Sequence, residues 1–597
     1  MEKHRELMRL IGNCSNKNNY SYTSEETAYV FEEIEKDIDT AKRQYGIVDD
    51  NMRLKDFKSS FESGMTWVSG FMQNVYKYGE KTAFICPMGG ESMTYSQLNR
   101  AANKYANALS AVLNKSGGKV MYCYRNSPEF MCIYIACQKI GAIGCPVSFY
   151  DSPRDIAGVI GEAKPDVFIY EYSGGTELAL NIARYKPGVL LVSGYPKDKK
   201  LLEGHMRTEE LTEDAVESEP NGEYSIYAET THFYTSGTTG KPKCAPVTSI
   251  NEVMSAREVM TSLGLSSEDI TMNTTPWHHR GGLHCCGPAA ALYAGATSII
   301  MRDFKAEECL EYIERYRVTL ASAIPVTLYG MAHAQAGCNR NLASLRGIIT
   351  MGSPMTVSGN EGLLRILGSR IYNVYGTTET FFNTMLTPEH IPYMSGTVGR
   401  ACAGDDVRIV KLSEKGNCEP DEVVPHDGKE VGEIIIKATG KSAGFYYNDS
   451  EETERKFKNG YLYTGDLGCW DEKGYITVLG RRDDMIICCG EKIYPINIEE
   501  ALMSNPKVLD CIVTSVPDSG MGEAIVAYVV KKDDSLTAEE LNTFCIENLM
   551  TAVYSRPVYY RFKKVLPRNA AGKKLHNRAK REAAADFKKG RLQRVLN

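Results

Sequence analysis

The chain is predicted to be an α/β protein with two unequal domains. A large domain of packed β-sheets and helices covers residues 66–480, a small α+β module covers residues 481–597, and a helical extension precedes them over residues 1–65. Three observations predict this. Apolar segments alternate with helical patterns from about residue 66 to 480, as when strands interleave with helices. Within that region, short β-rich runs end three times in loops rich in glycine and hydroxyl side chains. After residue 481 the texture changes to two longer strands and short capped helices.

The elements follow in order. Thr23-Ser24-Glu25-Glu26 has the form of a capping box, and Val30, Phe31, Ile34, Ile38 and Ala41 then recur at helical spacing, giving an amphipathic helix without evident chemistry. Residues 127–149 read as a buried helix and strand. The three loops come next. His232-Phe233-Tyr234 runs into residues 235–243; Gly347-Ile348-Ile349-Thr350-Met351 runs into Gly352-Ser353-Pro354; Ile371-Tyr372-Asn373-Val374-Tyr375 runs into Gly376-Thr377-Thr378-Glu379. Ligands in α/β proteins gather at the C-terminal ends of strands, so three such loops can line one crevice. In the small module, residues 485–489 read as a strand, and Asn497-Ile498-Glu499-Glu500 as the cap of a helix over 500–504. Residues 509–516 and 524–530 read as two strands about a turn at Pro517-Asp518-Ser519-Gly520. Thr537-Ala538-Glu539-Glu540 caps a helix with Leu541, Phe544, Cys545 and Leu549 on one face.

Composition bounds the function. With 43% hydrophobic and 24% charged residues, the chain is a soluble globular type. Its 69 basic and 75 acidic residues leave a net charge of −6, which argues against general attraction to nucleic acid or anionic lipid. The start, Met1-Glu2-Lys3-His4-Arg5-Glu6, is too charged for a secretory signal. The 18 cysteines form no dense scaffold and the adjacent pairs Cys285-Cys286 and Cys488-Cys489 lack zinc-ligand spacing, so reduced thiols in a cytoplasmic protein are expected. The most apolar stretch, residues 281–300, contains His284, Pro288 and several glycines, and reads as a buried segment rather than a membrane span.

Residues 234–243, Tyr-Thr-Ser-Gly-Thr-Thr-Gly-Lys-Pro-Lys, combine glycines, hydroxyls and two lysines. Glycine lets backbone N–H groups approach an anion, hydroxyls add donors, and lysine adds a mobile positive charge. This is a polyphosphate loop. It is not a Walker A loop: only two residues separate Gly237 from Gly240-Lys241, and Pro242 stands where a Mg²⁺-binding Ser or Thr is required. Four further motifs follow: Tyr375-Gly376-Thr377-Thr378-Glu379; Tyr463-Thr464-Gly465-Asp466; Gly480-Arg481-Arg482-Asp483-Asp484 with Gly490-Glu491-Lys492-Ile493-Tyr494-Pro495; and Pro567-Arg568-Asn569-Ala570-Ala571-Gly572-Lys573.

In this order and spacing, over residues 66–580, the set resembles the adenylate-forming superfamily, which includes acyl-CoA synthetases, the adenylation domains of peptide synthetases and firefly-type luciferases. The resemblance implies a large N-terminal domain with a small mobile C-terminal lid. It implies that Thr235, Ser236, Gly237, Thr238, Thr239, Gly240 and Lys243 hold the ATP phosphates, with Gly352, Ser353, Tyr375, Gly376 and Thr377 also at the nucleotide, Thr378 on the α-phosphate and Glu379 on Mg²⁺. Asp466 and Arg481 match the ribose-binding pair, and Asp483 the hinge. Gly490 and Lys492 lie in the segment beside the CoA tunnel, and Lys573 matches the catalytic lysine. Pro276-Trp277-His278-His279-Arg280-Gly281-Gly282 stands where relatives place an aromatic or His gate beside the acyl pocket. Either histidine could take this role, and His279 is favoured.

The amino-group anchor Phe-Asp of peptide synthetases is absent here, which points to an acyl chain or aryl acid as substrate. Arg280 departs from the common texture and could pair with a second carboxylate. ATP, Mg²⁺ and coenzyme A are the implied cofactors. The acceptor is CoA or, alternatively, a phosphopantetheinyl carrier protein; luciferase-like oxygenation shares every motif. A nucleic-acid-binding role for the basic residues 561–594 is the reading from another class. It is weak, because those residues are not interleaved with aromatic residues beyond Tyr559, Tyr560 and Phe562.

Overall fold

The computed structural model describes residues 24–44, 50–88, 92–113, 117–172, 188–236, 242–352, 355, 357–413, 417–548, 555–568 and 574–595. The chain divides into two compact units, residues 1–64 and 65–597. The first unit holds the helices Ser24–Gln44 and Asp50–Gly64. Phe31 and Ile38 on one, and Leu54, Phe57 and Phe61 on the other, are exposed. The capping residue expected at Thr23 lies outside the described residues.

The second unit is a mixed α/β structure, as the alternation of patterns predicts. Its N-terminal part is built on two large sheets. In one, the strands Lys119–Cys123, Ile143–Val147, Val167–Glu171, Val189–Ser193 and His205–Arg207 run parallel and end on the hairpin Glu229–Ser236/Pro242–Thr248. In the other, Thr82–Ile85, Thr297–Ile299, Ile270–Asn273, Leu320–Ala323, Gly347–Thr350 and Ile371–Thr377 are parallel, Phe381–Leu386 adds antiparallel, and the short strands Arg400–Ala401 and Met93–Thr94 form the two edges.

Strand alternation sets the layers. Val120 and Tyr122 face a core shared with the helices Trp67–Tyr78, Tyr95–Leu113 and Pro128–Lys139. Met121 and Cys123 face the opposite core under the helix Pro153–Ala163. The second sheet alternates likewise. Ile349 packs toward Ser249–Leu263 and Pro288–Ala294. Ile348 packs toward Ala306–Tyr316, Pro325–Cys338 and Val357–Leu367. Two sheets thus lie within three layers of helix. Parallel strands covered on both faces need continuous apolar runs, and the fully buried strands Gly347–Thr350 and Leu320–Ala323 supply them.

A third, antiparallel sheet joins Asp405–Val410, Gly432–Ala438, Phe457–Lys458, Tyr461–Trp470 and Ile476–Arg481. The C-terminal sheet is built around the hairpin Val508–Asp518/Gly522–Lys531. Helices Pro495–Met503 and Ala538–Asn548 cover one face, and His576–Lys588 the other.

Two local expectations change. The helix expected from residue 500 starts at Pro495, with Tyr494 as its N-cap, so Asn497 lies inside it. Proline has its φ pre-set and no N–H to satisfy, so it fits the first helical position better than a mid-helix capping residue would. The turn expected at 517–520 is shifted. The ladder runs to Asp518 opposite Gly522, because Asp518 Oδ1 accepts from the N–H groups of Gly520 at 2.9 Å and Met521 at 3.0 Å. Residues 281–300 form the short buried elements Arg280–His284, Pro288–Ala294 and Thr297–Ile299. Among the described residues, no helix is long and apolar enough to cross a membrane. Every described cysteine is a free thiol; most are buried, and only Cys338 and Cys489 are exposed.

Candidate active site

The residues flanking the expected polyphosphate loop pair as an antiparallel hairpin, with Thr235 opposite Lys243 and Ser236 opposite Pro242. A Walker A loop opens a helix instead, so the different spacing reflects a different scaffold. Gly237, Thr238, Thr239 and Gly240 lie outside the described residues. Lys243 is half-buried and paired with Glu452, which also binds Arg455 at 2.7 Å. Asp449 caps the helix Ser450–Lys456 and so fixes Glu452 opposite the hairpin.

The strand Ile371–Thr377 carries Tyr375, Gly376 and Thr377 into a tight turn. A Cβ on Gly376 would meet the Phe381 carbonyl oxygen at 1.8 Å, so only glycine fits there. Thr377 and Thr380 are joined through their hydroxyls at 3.0 Å. Glu379 is held on this turn by the Tyr446 hydroxyl, which donates to Oε1 at 2.5 Å. The ring of Tyr446 also lies 5.9 Å from the Lys243 ammonium, so the hairpin base and the Glu379 turn meet at one tyrosine. Gly352 ends the neighbouring strand Gly347–Thr350 with a φ of +90°, and Ser353 lies outside the described residues.

Asp466 and Arg481 sit directly opposite on the strands Tyr461–Trp470 and Ile476–Arg481. Arg481 donates to Asp466 Oδ1 at 3.1 Å and to the Thr464 carbonyl at 2.8 Å, and the Tyr375 hydroxyl donates to Oδ2 at 2.7 Å. One carboxylate thus ties the glycine turn to the strand that leads into Asp483. Gly465 has a φ of +78°, and a side chain on it would crowd Arg481 and Lys456. Lys456 is half-buried beside Arg481 and donates to the Tyr463 carbonyl at 3.0 Å; burial, then the charge of Arg481, lowers its pKa. Asp483 is exposed in the short turn Arg482–Asp484, and Arg482 is anchored by Glu433 and the Ser413 carbonyl.

His279 precedes the short helix Arg280–His284, and its ring centroid is 4.0 Å from that of His278. Burial pushes the pKa of His279 down to about 4, and burial with the neighbouring His279 holds that of His278 well below its ordinary value, so both are neutral imidazoles at neutral pH. The idea that Arg280 awaits a second carboxylate is corrected. Its guanidinium is 2% exposed and donates to the Thr378 carbonyl at 2.9 Å, Ser255 Oγ at 3.0 Å and the Lys441 carbonyl at 2.5 Å. Burial lowers its pKa to about 10. Arg280 therefore braces the Glu379 turn from behind. Gly490, with a φ of +84°, and the exposed Lys492 lie on the edge hairpin Ile486–Cys488/Glu491–Ile493 of the C-terminal sheet. Lys573 lies outside the described residues, between Arg568 and Lys574.

The structure thus brings together Lys243, Tyr375, Glu379, Asp466 and Arg481 through shared partners. Tyr446, Glu452 and Lys456 join them without having been singled out in the sequence; the aromatic run Phe445-Tyr446-Tyr447 before an acidic helix start was the available signal. The donor set fits a nucleotide carrying one divalent cation. The two Asp466 oxygens keep acceptor capacity beyond their single partners. Mg²⁺ on a polyphosphate needs only one or two protein carboxylates, and Glu379 offers one. Among the described residues there is no cluster of three metal-ligating side chains.

Two family models match, the AMP-binding enzyme over residues 71–446 and the AMP-binding enzyme C-terminal domain over residues 497–573. The chain belongs to the AMP-binding enzyme family. Within that family it is 29% identical over 497 residues to the long-chain-fatty-acid–CoA ligase FadD13 of Mycobacterium tuberculosis, covering 83% of this chain and 93% of the relative. It is 28% identical over 508 residues to the fatty acid–[acyl-carrier-protein] ligase ScoC of Streptomyces coeruleorubidus, covering 81% and 91%. Among solved AMP-binding enzymes, the o-succinylbenzoate CoA synthetase of Bacillus subtilis with its acyl-adenylate intermediate superposes with a TM-score of 0.74 at 27% identity, covering 86% of this chain and 97% of that one. The large N-terminal and small C-terminal domains are those of adenylating enzymes.

Proposed function

We propose that the protein is an AMP-forming acid–thiol ligase that activates a small carboxylic acid with ATP and passes the acyl group to coenzyme A. The observation that carries this reading is Asp466, whose carboxylate joins Tyr375 on the glycine turn to Arg481 at the entry to the hinge turn. That is the arrangement needed to hold a ribose between a phosphate site and a moving lid.

In this reading Asp466 and Arg481 take the ribose hydroxyls, and the hairpin at residues 235–243 takes the β- and γ-phosphates. Lys243 leaves Glu452 in part to meet them. Glu379, oriented by Tyr446, would hold Mg²⁺, which supplies charge neutralisation on the phosphates. The substrate carboxylate attacks the α-phosphorus, the bond to the bridging oxygen breaks, and pyrophosphate leaves. Thr378 and Lys573 offset charge on the α-phosphate as it develops. Rotation about Asp483 then withdraws Lys573 and turns Gly490 and Lys492 toward the CoA path. A thiolate attacks the acyl carbon and AMP departs. Separating the half-reactions keeps the mixed anhydride from water. The neutral His279 stands at the acyl side, so an acyl chain or aryl acid is the proposed ligand. These substrates and the free thiols suit a cytoplasmic setting.

A panel of carboxylic acids, scored by pyrophosphate release with ATP and CoA, tests the proposal. At least one acid is expected to give stoichiometric pyrophosphate, AMP and acyl-CoA. Lys573→Ala is expected to abolish pyrophosphate release while ATP still binds; undiminished release would sink the assignment. A second reading, with a phosphopantetheinylated carrier protein as acceptor, is favoured by the likeness to a carrier-protein ligase. AMP release on adding holo-carrier but not CoA would select it.

A further inference from the structure

The described residues on either side of residues 569–573 are held together at a fixed base. Arg568 and Lys574 form an antiparallel bridge, and the Leu575 N–H donates to the Pro567 carbonyl at 2.9 Å. Beneath this base lies a carboxylate for which the reaction above has no use. Glu499, on the helix Pro495–Met503, is 6% exposed. Its Oε1 accepts from the Val513 N–H at 2.9 Å and from His576 Nε2 at 2.7 Å, and its Oε2 from Lys574 Nζ at 2.8 Å. Asp510, on the strand Val508–Asp518, binds Arg568 at 2.6 Å and lies 3.6 Å from Lys574. Asp484, in the turn that also holds Asp483, is 4.0 Å from His576 Nδ1. A helix, the strand Val508–Asp518 and the turn Arg482–Asp484 therefore all grip the residues that flank residues 569–573.

We propose that Glu499, with Lys574 and His576, is a positioning clamp that sets the register of Lys573 for the adenylation step. The proposal rests on the reading of Lys573 as the adenylation lysine. Lys574 is the next residue in the chain, about 3.8 Å away at Cα, so any slip of its ammonium passes directly to Lys573. A buried ion pair is weak evidence for stability, since apolar residues of similar volume often serve as well; its best-attested use is to fix register. A displacement of about 1 Å at a reacting group can cost on the order of 100-fold in rate.

The clamp has a distinctive pH behaviour. The ionisable groups facing His576 are Glu499 from the helix, Asp484 from the hinge turn and Lys574 from its own segment. Burial opposes its charge, but the hydrogen bond and attraction of Glu499 prevail and raise its pKa. Burial likewise opposes the charge of Lys574, and Glu499, Cys511 and Asp510 together raise its pKa. Burial alone would raise Glu499, yet Lys574 and His576 pull it down to about 2. His576 is thus fully cationic below its ordinary value and loses its proton as pH rises through the raised one. Glu499 then keeps Lys574 as its remaining cation.

The test measures pyrophosphate release and, separately, thioester formation from supplied acyl-adenylate, as a function of pH. Lys574→Met is expected to slow adenylation at least about 10-fold, to leave the second half-reaction near wild type, and to create an alkaline decline where His576 titrates. An unchanged pH profile and rate in folded Lys574→Met would overturn the clamp, as would equal slowing of both half-reactions. If Lys574→Met does not fold, Glu499→Gln, which keeps an acceptor for Val513, is expected to slow adenylation alike with the second half-reaction near wild type, and an unchanged rate there overturns the clamp. Retained adenylation in Lys573→Ala alone would instead overturn the functional reading, so the two failures are distinguishable.

Discussion

Asp466 accepts from two side chains at once, Tyr375 and Arg481, and the charge of that carboxylate is what both need. Asp466→Asn preserves its shape and removes the charge. Its KM for ATP is expected to rise by about 10- to 100-fold, the worth of one or two hydrogen bonds to a charged group, with the melting temperature changed little; steady-state kinetics at varied ATP check this. Gly376 is constrained by space rather than charge. An alanine Cβ there would overlap the Phe381 carbonyl, so Gly376→Ala is expected to cost about 2 kcal/mol or more of stability, measured by denaturant titration. At this scale the sequence was most informative about residues that chemistry restricts to one type. Gly376, Glu379 and Asp466 stand out because a tight turn, and the metal and ribose roles proposed for the two carboxylates, each demand that residue type. Tyr446 and Glu452 did not stand out, because an aromatic or acidic residue in a polar run has many uses, and only the fold brings them to Glu379 and Lys243.

The turn carrying Glu379 depends on an element far away in sequence. Arg280, at the start of the short helix Arg280–His284, reaches the Thr378 carbonyl, Ser255 on the helix Ser249–Leu263 and the Lys441 carbonyl. Arg280→Met leaves those acceptors unsatisfied inside the protein, at a cost on the order of 3 kcal/mol. Besides this loss, the KM for Mg·ATP is expected to rise while that for the acid changes less; kinetics at varied Mg·ATP and varied acid separate the two. Helix and strand types were legible from periodicity, since Ile348 and Ile349 must face opposite cores. Element ends were less so. The start at Pro495 was missed because a capping-box pattern at Asn497 competes with a proline two residues earlier, and both are locally plausible. The partners of Arg280 were not legible at all, since two of the three are backbone carbonyls, which carry no sequence signature.

Across the whole molecule, the division at residue 64 makes a simple claim. A chain starting at Met65 is expected to fold and to keep its rate of pyrophosphate release, with a melting temperature within a few degrees of the full chain. Acid stability should fall in two stages. His278 and His279 are held neutral by burial, so the protons they would gain on unfolding destabilise the fold as pH drops below about 6.5 toward about 4. Glu499, with its pKa pulled down to about 2, contributes stability that is full above the ordinary carboxylate range and is lost only as pH falls toward that value. Denaturant midpoints against pH should show the first stage flattened in His279→Phe and the second in Glu499→Gln. The global arrangement was only partly legible. Alternating patterns specify an α/β class, but the order of strands across a sheet is set by contacts hundreds of residues apart, such as Thr82–Ile85 beside Thr297–Ile299.

Burial of most thiols makes the protein a convenient substrate for covalent labelling. Of the described cysteines, only Cys338 and Cys489 are exposed, while burial pushes the Cys488 thiol up to about 12. A maleimide dye should therefore react first at those two, with Cys338→Ser leaving Cys489 as the dominant described target. That residue adjoins Gly490 on the edge hairpin of the small domain, so a fluorophore there would read out, in real time and without altering the catalytic groups, each change in the surroundings of that hairpin during turnover.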